Sequence, residues 1–114
     1  MSFDKSPNWF RDIIGFIDEI DSYVAGMSYH DFSDDRRTIR AVERCLQNIT
    51  EASIRIGEES WRVLVPNVAH HRVRGLGNRL RHEYERIDTG SIYDLIGAEL
   101  PLLRAACLAA LDNQ

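Results

Sequence analysis

Cysteine is scarce: Cys45 and Cys107 stand far apart with no CxxC pair. That excludes a disulfide framework and a paired-cysteine zinc site, and the two read as buried thiols of a reducing cytoplasm. His70-His71 does not replace them, because adjacent helical residues point about 100° apart and no His or Cys lies four positions away on a common face. No metal and no cofactor is therefore expected. The chain has no Gly-rich phosphate loop, no nucleophile elbow and no HExxH, so neither nucleotide hydrolysis nor serine-hydrolase chemistry is indicated. No apolar run approaches the ~20 residues of a membrane span. The N-terminal MSFDKSPNWF has no basic region ahead of an apolar one, so neither a signal peptide nor a membrane anchor is expected, and the expected location is the cytoplasm. Repeats, low-complexity tracts and linkers are also missing.

What remains is an ordinary globular composition, with 44% hydrophobic and 28% charged residues in 114. One domain over 1–114 is expected, large enough to bury roughly two-thirds of its unfolded surface without disulfides or metal. The net charge of −4 is unevenly spread. Residues 1–35 set Lys5 and Arg11 against eight acids, whereas residues 70–86 set Arg72, Arg74, Arg79, Arg81 and Arg86 against Glu83 and Glu85. The second stretch can serve a local anionic ligand despite the acidic whole.

Apolar residues recur with helical period almost throughout. Ser6-Pro7 reads as a helix start, followed by the stripe Phe10, Ile13, Ile14, Ile17, Ile20 and Val24, with Gly26 as the stop. Met27 to Phe32 reads as a connection in which Tyr29 and Phe32 plug the core. Ser33 or Asp34 is the expected cap of a second helix with stripe Ile39, Val42, Leu46, Ile49, Ser53 and Ile56, ending at Gly57. Glu58 to Val65 fits either a short helix or an extended link, since Pro66 biases Val65 away from helix. Asn67 is the expected cap of a third helix running to about Arg86, with stripe Ala69, Val73, Leu76, Leu80, Tyr84 or Glu83, and Ile87. Gly75 and Gly77 inside it mark a close helix contact or a kink. After the turn signal Asp88-Thr89-Gly90, Ser91 should cap a last helix with stripe Ile92, Leu95, Ile96, Leu100, Leu103, Cys107, Leu108 and Leu111, kinked or broken near Leu100 by Pro101. Trp9 and Trp61 read as core. The expectation is an all-α, compact antiparallel bundle of four to five helices.

The stretch from Arg74 to Asp88, RGLGNRLRHEYERID, carries the chemistry. On an ideal helix Arg74, Asn78 and His82 fall within an arc of about 80°, with Arg79 on the adjacent row. An imidazole beside guanidinium groups is a proton-transfer group suited to a phosphate, because neighbouring cations favour its neutral, proton-accepting form. His82 stands two residues before Tyr84, and in this the chain resembles the HepT-like proteins, a branch of the HEPN superfamily. The signature of that family is Arg, four to six residues, His, any residue, Tyr, commonly with Asn after the Arg. Asn78, His82 and Tyr84 match it, but Gly77 stands where the Arg belongs.

The resemblance implies a compact helical homodimer with its site at the dimer cleft, acting as a metal-independent RNA endonuclease. His82 would manage the proton of the attacking ribose hydroxyl, and Asn78 would orient His82 or hold a phosphate oxygen. Arg74, Arg79 and Arg81 would bind substrate, with Arg74 or Arg79 able to stand in space for the missing arginine. The resemblance also implies a partner, an MNT-type minimal nucleotidyltransferase antitoxin that silences the toxin by transferring AMP to Tyr84. Alternatively Tyr84 is a core aromatic beside Leu80 and Ile87. A rival for the whole chain is a non-catalytic substrate-binding subunit of a two-component nucleotidyltransferase. For the homodimer, light scattering at micromolar concentration should return twice the chain mass, and a monomer would count against it.

Overall fold

The computed structural model describes residues 6–76 and 88–113. Among these are seven helices and no strand: α1 (Ser6–Val24), α2 (Tyr29–Asp34), α3 (Arg36–Ile56), α4 (Glu58–Leu64), α5 (His70–Arg74), α6 (Thr89–Ala98) and α7 (Leu100–Asp112). The all-α bundle expected from the periodicity is what forms, with α1 packed between α3 and α7.

The core is built from the expected stripes. Phe10, Ile13, Ile17 and Ile20 of α1 are sealed from solvent against Val42, Leu46 and Ile49 of α3, with Ile14 and Val24 on the shoulders. Across the other flank of α1, Leu103, Cys107 and Ala110 of α7 complete the layer. At its rim Arg104 donates through Nε to Asp18 Oδ1 at 2.8 Å, and this guanidinium holds the Asp18 carboxyl below its usual range. The pair is largely solvated and ranks far below the apolar contact in stabilising the interface. Burial pushes the Cys107 thiol up to about 12 and raises that of Cys45 as well, so both are protonated and inert. Trp61 is fully buried; Trp9 lies half-buried with the Arg55 guanidinium 5.6 Å from its ring centre.

The connections are more helical than the periodicity implied. Gly26 turns the chain after α1 at φ +76°, and Ser28 then forms a capping box with Asp31. The Asp31 N–H donates to Ser28 Oγ at 3.1 Å and the Ser28 N–H to Asp31 Oδ2 at 3.2 Å, so Tyr29–Asp34 is drawn into a helix. Phe32 plugs the core as expected, but Tyr29 is 46% exposed. Because Asp34 still belongs to α2, neither Ser33 nor Asp34 caps the next helix. Asp35 is the single extended residue between the two and accepts from the Thr38 N–H at 3.1 Å. Glu58 to Leu64 resolves as helix, with Glu58 and Glu59 at its positive end.

Two further boundaries shift. Ala69, not Asn67, precedes α5, and it is exposed, so His70 takes the inward position three residues before Val73. Asp88, not Ser91, caps α6, receiving the Ser91 N–H on Oδ1 at 3.0 Å. Of the kink or break expected near Leu100, the break is what forms. Glu99 separates α6 from α7, and Pro101 sits in the first turn of α7, where its missing N–H has no partner to lose. Beyond the break Leu103 and Cys107 are buried as expected, Ala110 continues their face, and Leu108 is 41% exposed. The stripe positions Leu80, Glu83, Tyr84 and Ile87, and Gly77, lie outside the described residues.

Ile17→Ala should lower the unfolding free energy by about 2–5 kcal/mol in a urea titration, the usual range for truncating a sealed aliphatic residue. Val63→Ala, at a side chain 72% exposed, should stay within about 0.5 kcal/mol of wild type. Equal effects would mean the core has been assigned to the wrong faces.

Candidate functional site

The basic stretch begins at the end of α5, and α5 is a helix of only five residues. So short a helix cannot hold itself; contacts to α3 and α4 hold it. His70 is buried and its Nε2 lies 2.7 Å from the Ser53 carbonyl oxygen. A carbonyl only accepts, so Nε2 carries the hydrogen. Nδ1 is then buried without a hydrogen-bond partner among the described residues. One turn on, the Thr50 hydroxyl donates to the Val73 carbonyl at 3.1 Å. Trp61 of α4 packs its ring 5.3 Å from the imidazole and donates from Nε1 to the Val68 carbonyl at 2.7 Å. Arg72 reaches across to Glu99 at 2.9 Å, tying α5 to the α6–α7 break.

Leu76, two residues into the stretch, is buried and is the last described residue ahead of Asp88. The chain is described again at Asp88, the cap of α6. There the Tyr29 and Thr89 hydroxyls lie 3.1 Å apart, and Tyr29 meets Tyr93 edge-on at 5.5 Å between ring centres. Both ends are thus tied to the bundle, one to α3 and one to α2.

Of the expected site residues, Arg74 is described. It is exposed at the end of α5 and pairs with no described carboxylate, which leaves its guanidinium open to an anion. Asn78, Arg79, Arg81, His82 and Tyr84 lie outside the described residues, as does Arg86. Beside the stretch, between α5 and α7, is a groove of about 600 Å³ whose floor is Val73, Leu76, Leu100 and Leu103 and whose rim holds the Arg72–Glu99 pair. It brings no acid–base pair together. No group of three described His, Cys, Asp or Glu residues could hold a metal, and no described helix is long and apolar enough to cross a membrane. The part played by His70 was missed in the sequence because only apolar residues were counted into the stripe. Stepping back three from Val73 would have found it.

These features define a class, small helical proteins in which a short docked helix opens a histidine- and arginine-rich stretch of sequence. The family model described as Ribonuclease HepT-like matches residues 13–110, nearly the whole bundle, and the chain belongs to that family. Relatives agree. A protein of Methanocaldococcus jannaschii named "Putative RNase MJ0125" is 27% identical over 93 residues, 82% of this chain and 79% of its own length. The "Probable ribonuclease HepT" of Thermococcus cleftensis is 27% identical over 97 residues, 85% of this chain and 87% of its own length. No solved structure gives a significant match.

The anchor at Asp88 has a pH signature. The backbone and hydroxyl hydrogens of Ser91 hold the Asp88 carboxyl below its usual range. A carboxyl depressed by folding contributes stability that is complete above the unfolded value of ~3.9 and is lost as pH falls through the lower folded value. Asp88→Ala should therefore lower the melting temperature at neutral pH, and the gap to wild type should close as pH falls below about 4. A gap independent of pH would show that the carboxylate is not the cap.

Proposed function

We propose that this chain is an RNA endonuclease that works without metal, the toxin half of a pair with a minimal nucleotidyltransferase. The observation that carries it is the set Asn78, His82 and Tyr84, spaced as in the family signature, inside the segment that the family model matches. The names of the relatives support RNA as the substrate. In the reaction a ribose 2′-oxygen attacks the adjacent phosphorus and its proton passes to His82. The P–O5′ bond breaks and the departing 5′-oxygen takes up a proton, leaving a 2′,3′-cyclic phosphate and a 5′-hydroxyl. Arginine stabilises the charge that builds on the phosphoryl oxygens. With Gly77 in the usual arginine place, that task falls to Arg74, Arg79 or Arg81. Asn78 orients His82 or holds a phosphate oxygen. Two chains pair so that their basic stretches share one cleft, in the cytoplasm.

AMP transferred to Tyr84 by the partner would add bulk and negative charge beside the same arginines, competing with RNA phosphate. One observation favours a second reading: Gly77 removes the family's arginine, which suits a substrate-binding subunit that never cuts RNA.

Purified protein should cleave RNA in the presence of a chelator, and His82→Ala should slow it by roughly 10²–10⁴-fold without unfolding. Equal rates would remove His82 from the mechanism, and no cleavage by wild type or growth arrest on expression would favour the binding subunit. Gly77→Arg should raise cleavage, provided the dimer stays intact when its mass is measured alongside. An intact dimer with no gain would place the arginine role at Arg74, Arg79 or Arg81, to be separated by alanine variants.

A further inference from the structure

α3 opens with arginines where helix electrostatics disfavours them. Arg36 and Arg37 stand in its first turn, no acidic residue shares that turn, and Arg40 and Arg44 follow at four-residue steps. The positive end of the helix dipole repels such charges, and Arg36–Arg40 and Arg40–Arg44 are like-charge neighbours on one face. All four are exposed, and none is ion-paired with a described carboxylate. The nearest acid in sequence, Asp35, is engaged by the Thr38 N–H and hydroxyl, although Arg37 also contributes to its field. Glu43 is the single acid among residues 36–44 and is half-buried. Nothing in the stability of α3 accounts for this row of charge.

We propose that the outer face of α3, formed by Arg36, Arg40 and Arg44 with Arg37 beside them, is a second anion-binding surface that holds the phosphate backbone of an RNA strand. The inference rests on the RNA reading above and extends it to residues outside the basic stretch. Four helical residues rise about 6 Å, so the row presents one cation per turn over about 12 Å, a repeated charge with no apolar member. Gln47 and Asn48 continue that face with polar groups. A protein interface needs an aromatic or aliphatic centre, which this face lacks, whereas a polyanion needs only spaced cations. Arg36 lies about 40° around the helix axis from Thr50, where the Val73 carbonyl rests, Arg40 about 80° and Arg44 about 120°, so the row winds away from the side on which α5 docks and forms a separate surface. Backbone contacts of this kind position a strand without reading its sequence.

The test is fluorescence anisotropy with a short 2′-O-methyl RNA, which cannot be cleaved because its nucleophile is blocked, titrated from about 50 to 300 mM salt. Arg36→Gln, Arg40→Gln and Arg44→Gln combined should weaken binding at least tenfold at low salt and reduce the log–log salt slope by about 2, near 0.7 per lost phosphate contact. Arg62→Gln, at an exposed arginine of α4 outside both basic stretches, should keep the wild-type slope. The triple variant should melt no lower than wild type, since it relieves repulsion within the helix. If it does melt lower, Arg40→Gln alone should still cut the slope by about 0.7. An unchanged slope in the variants, or no RNA binding by wild type, overturns the proposal. Wild-type retention of poly-glutamate but not of the RNA overturns it in favour of an acidic protein partner. Binding with the expected slopes but no cleavage of unmodified RNA would sink the endonuclease reading and leave the surface standing.

Discussion

The carbonyl of Ser53 accepts two hydrogens, one from the Gly57 N–H at 3.2 Å and one from His70 Nε2 at 2.7 Å. The first ends α3 and the second begins α5. A buried donor left without an acceptor costs about 1–3 kcal/mol, so the turn at Gly57 and the docking of His70 are bound to one another. Everything that follows in the chain inherits this geometry. α4 is the loop that the two bonds close, and its Trp61 fills the space between Phe10 and the imidazole. α5 is aligned a turn later by Thr50 and Val73, and from its end the basic stretch departs. A five-residue helix supplies too little hydrogen bonding to persist alone, so the placement of Arg74 at its end is a property of α3 and α4.

The bundle separates holding from acting. α1, α3 and α7 share a sealed apolar interface that carries no titratable chemistry, and the two cysteines within it are kept protonated by burial. The exposed arginines lie outside it, Arg74 at the end of α5 and Arg36, Arg40 and Arg44 along α3. An acidic chain can still carry locally positive surfaces, because its excess of carboxylates is concentrated in residues 1–35. At short range such surfaces act through local charge, while the net value governs behaviour beyond a Debye length. Membership of the HepT-like ribonuclease family is consistent with that division, since the model of the family spans scaffold and stretch together.

The sequence by itself determined the helical class, the buried faces of α1 and α3, the stop at Gly57 and the break near Pro101. Each follows from rules acting within one or two turns: period, positive φ, a missing N–H. It also held the spacing of Asn78, His82 and Tyr84 and the departure at Gly77, which are facts of order along the chain. The folded chain decided which of three adjacent polar residues became a cap. Ser33, Asp34 and Asp35 all have capping side chains, and only the capping box of Ser28 with Asp31 left Asp35 as the free one. It likewise decided that Leu108 would face out and Ala110 in, because α7 packs on α1 through the narrow face that Leu103 and Cys107 share with Ala110. It made His70 a buried anchor, since an imidazole enters a core only where a carbonyl such as that of Ser53 waits for its hydrogen. Local propensity is written in neighbouring residues, but the partner of a buried polar group lies elsewhere in the chain, and only the folded bundle brings the two together.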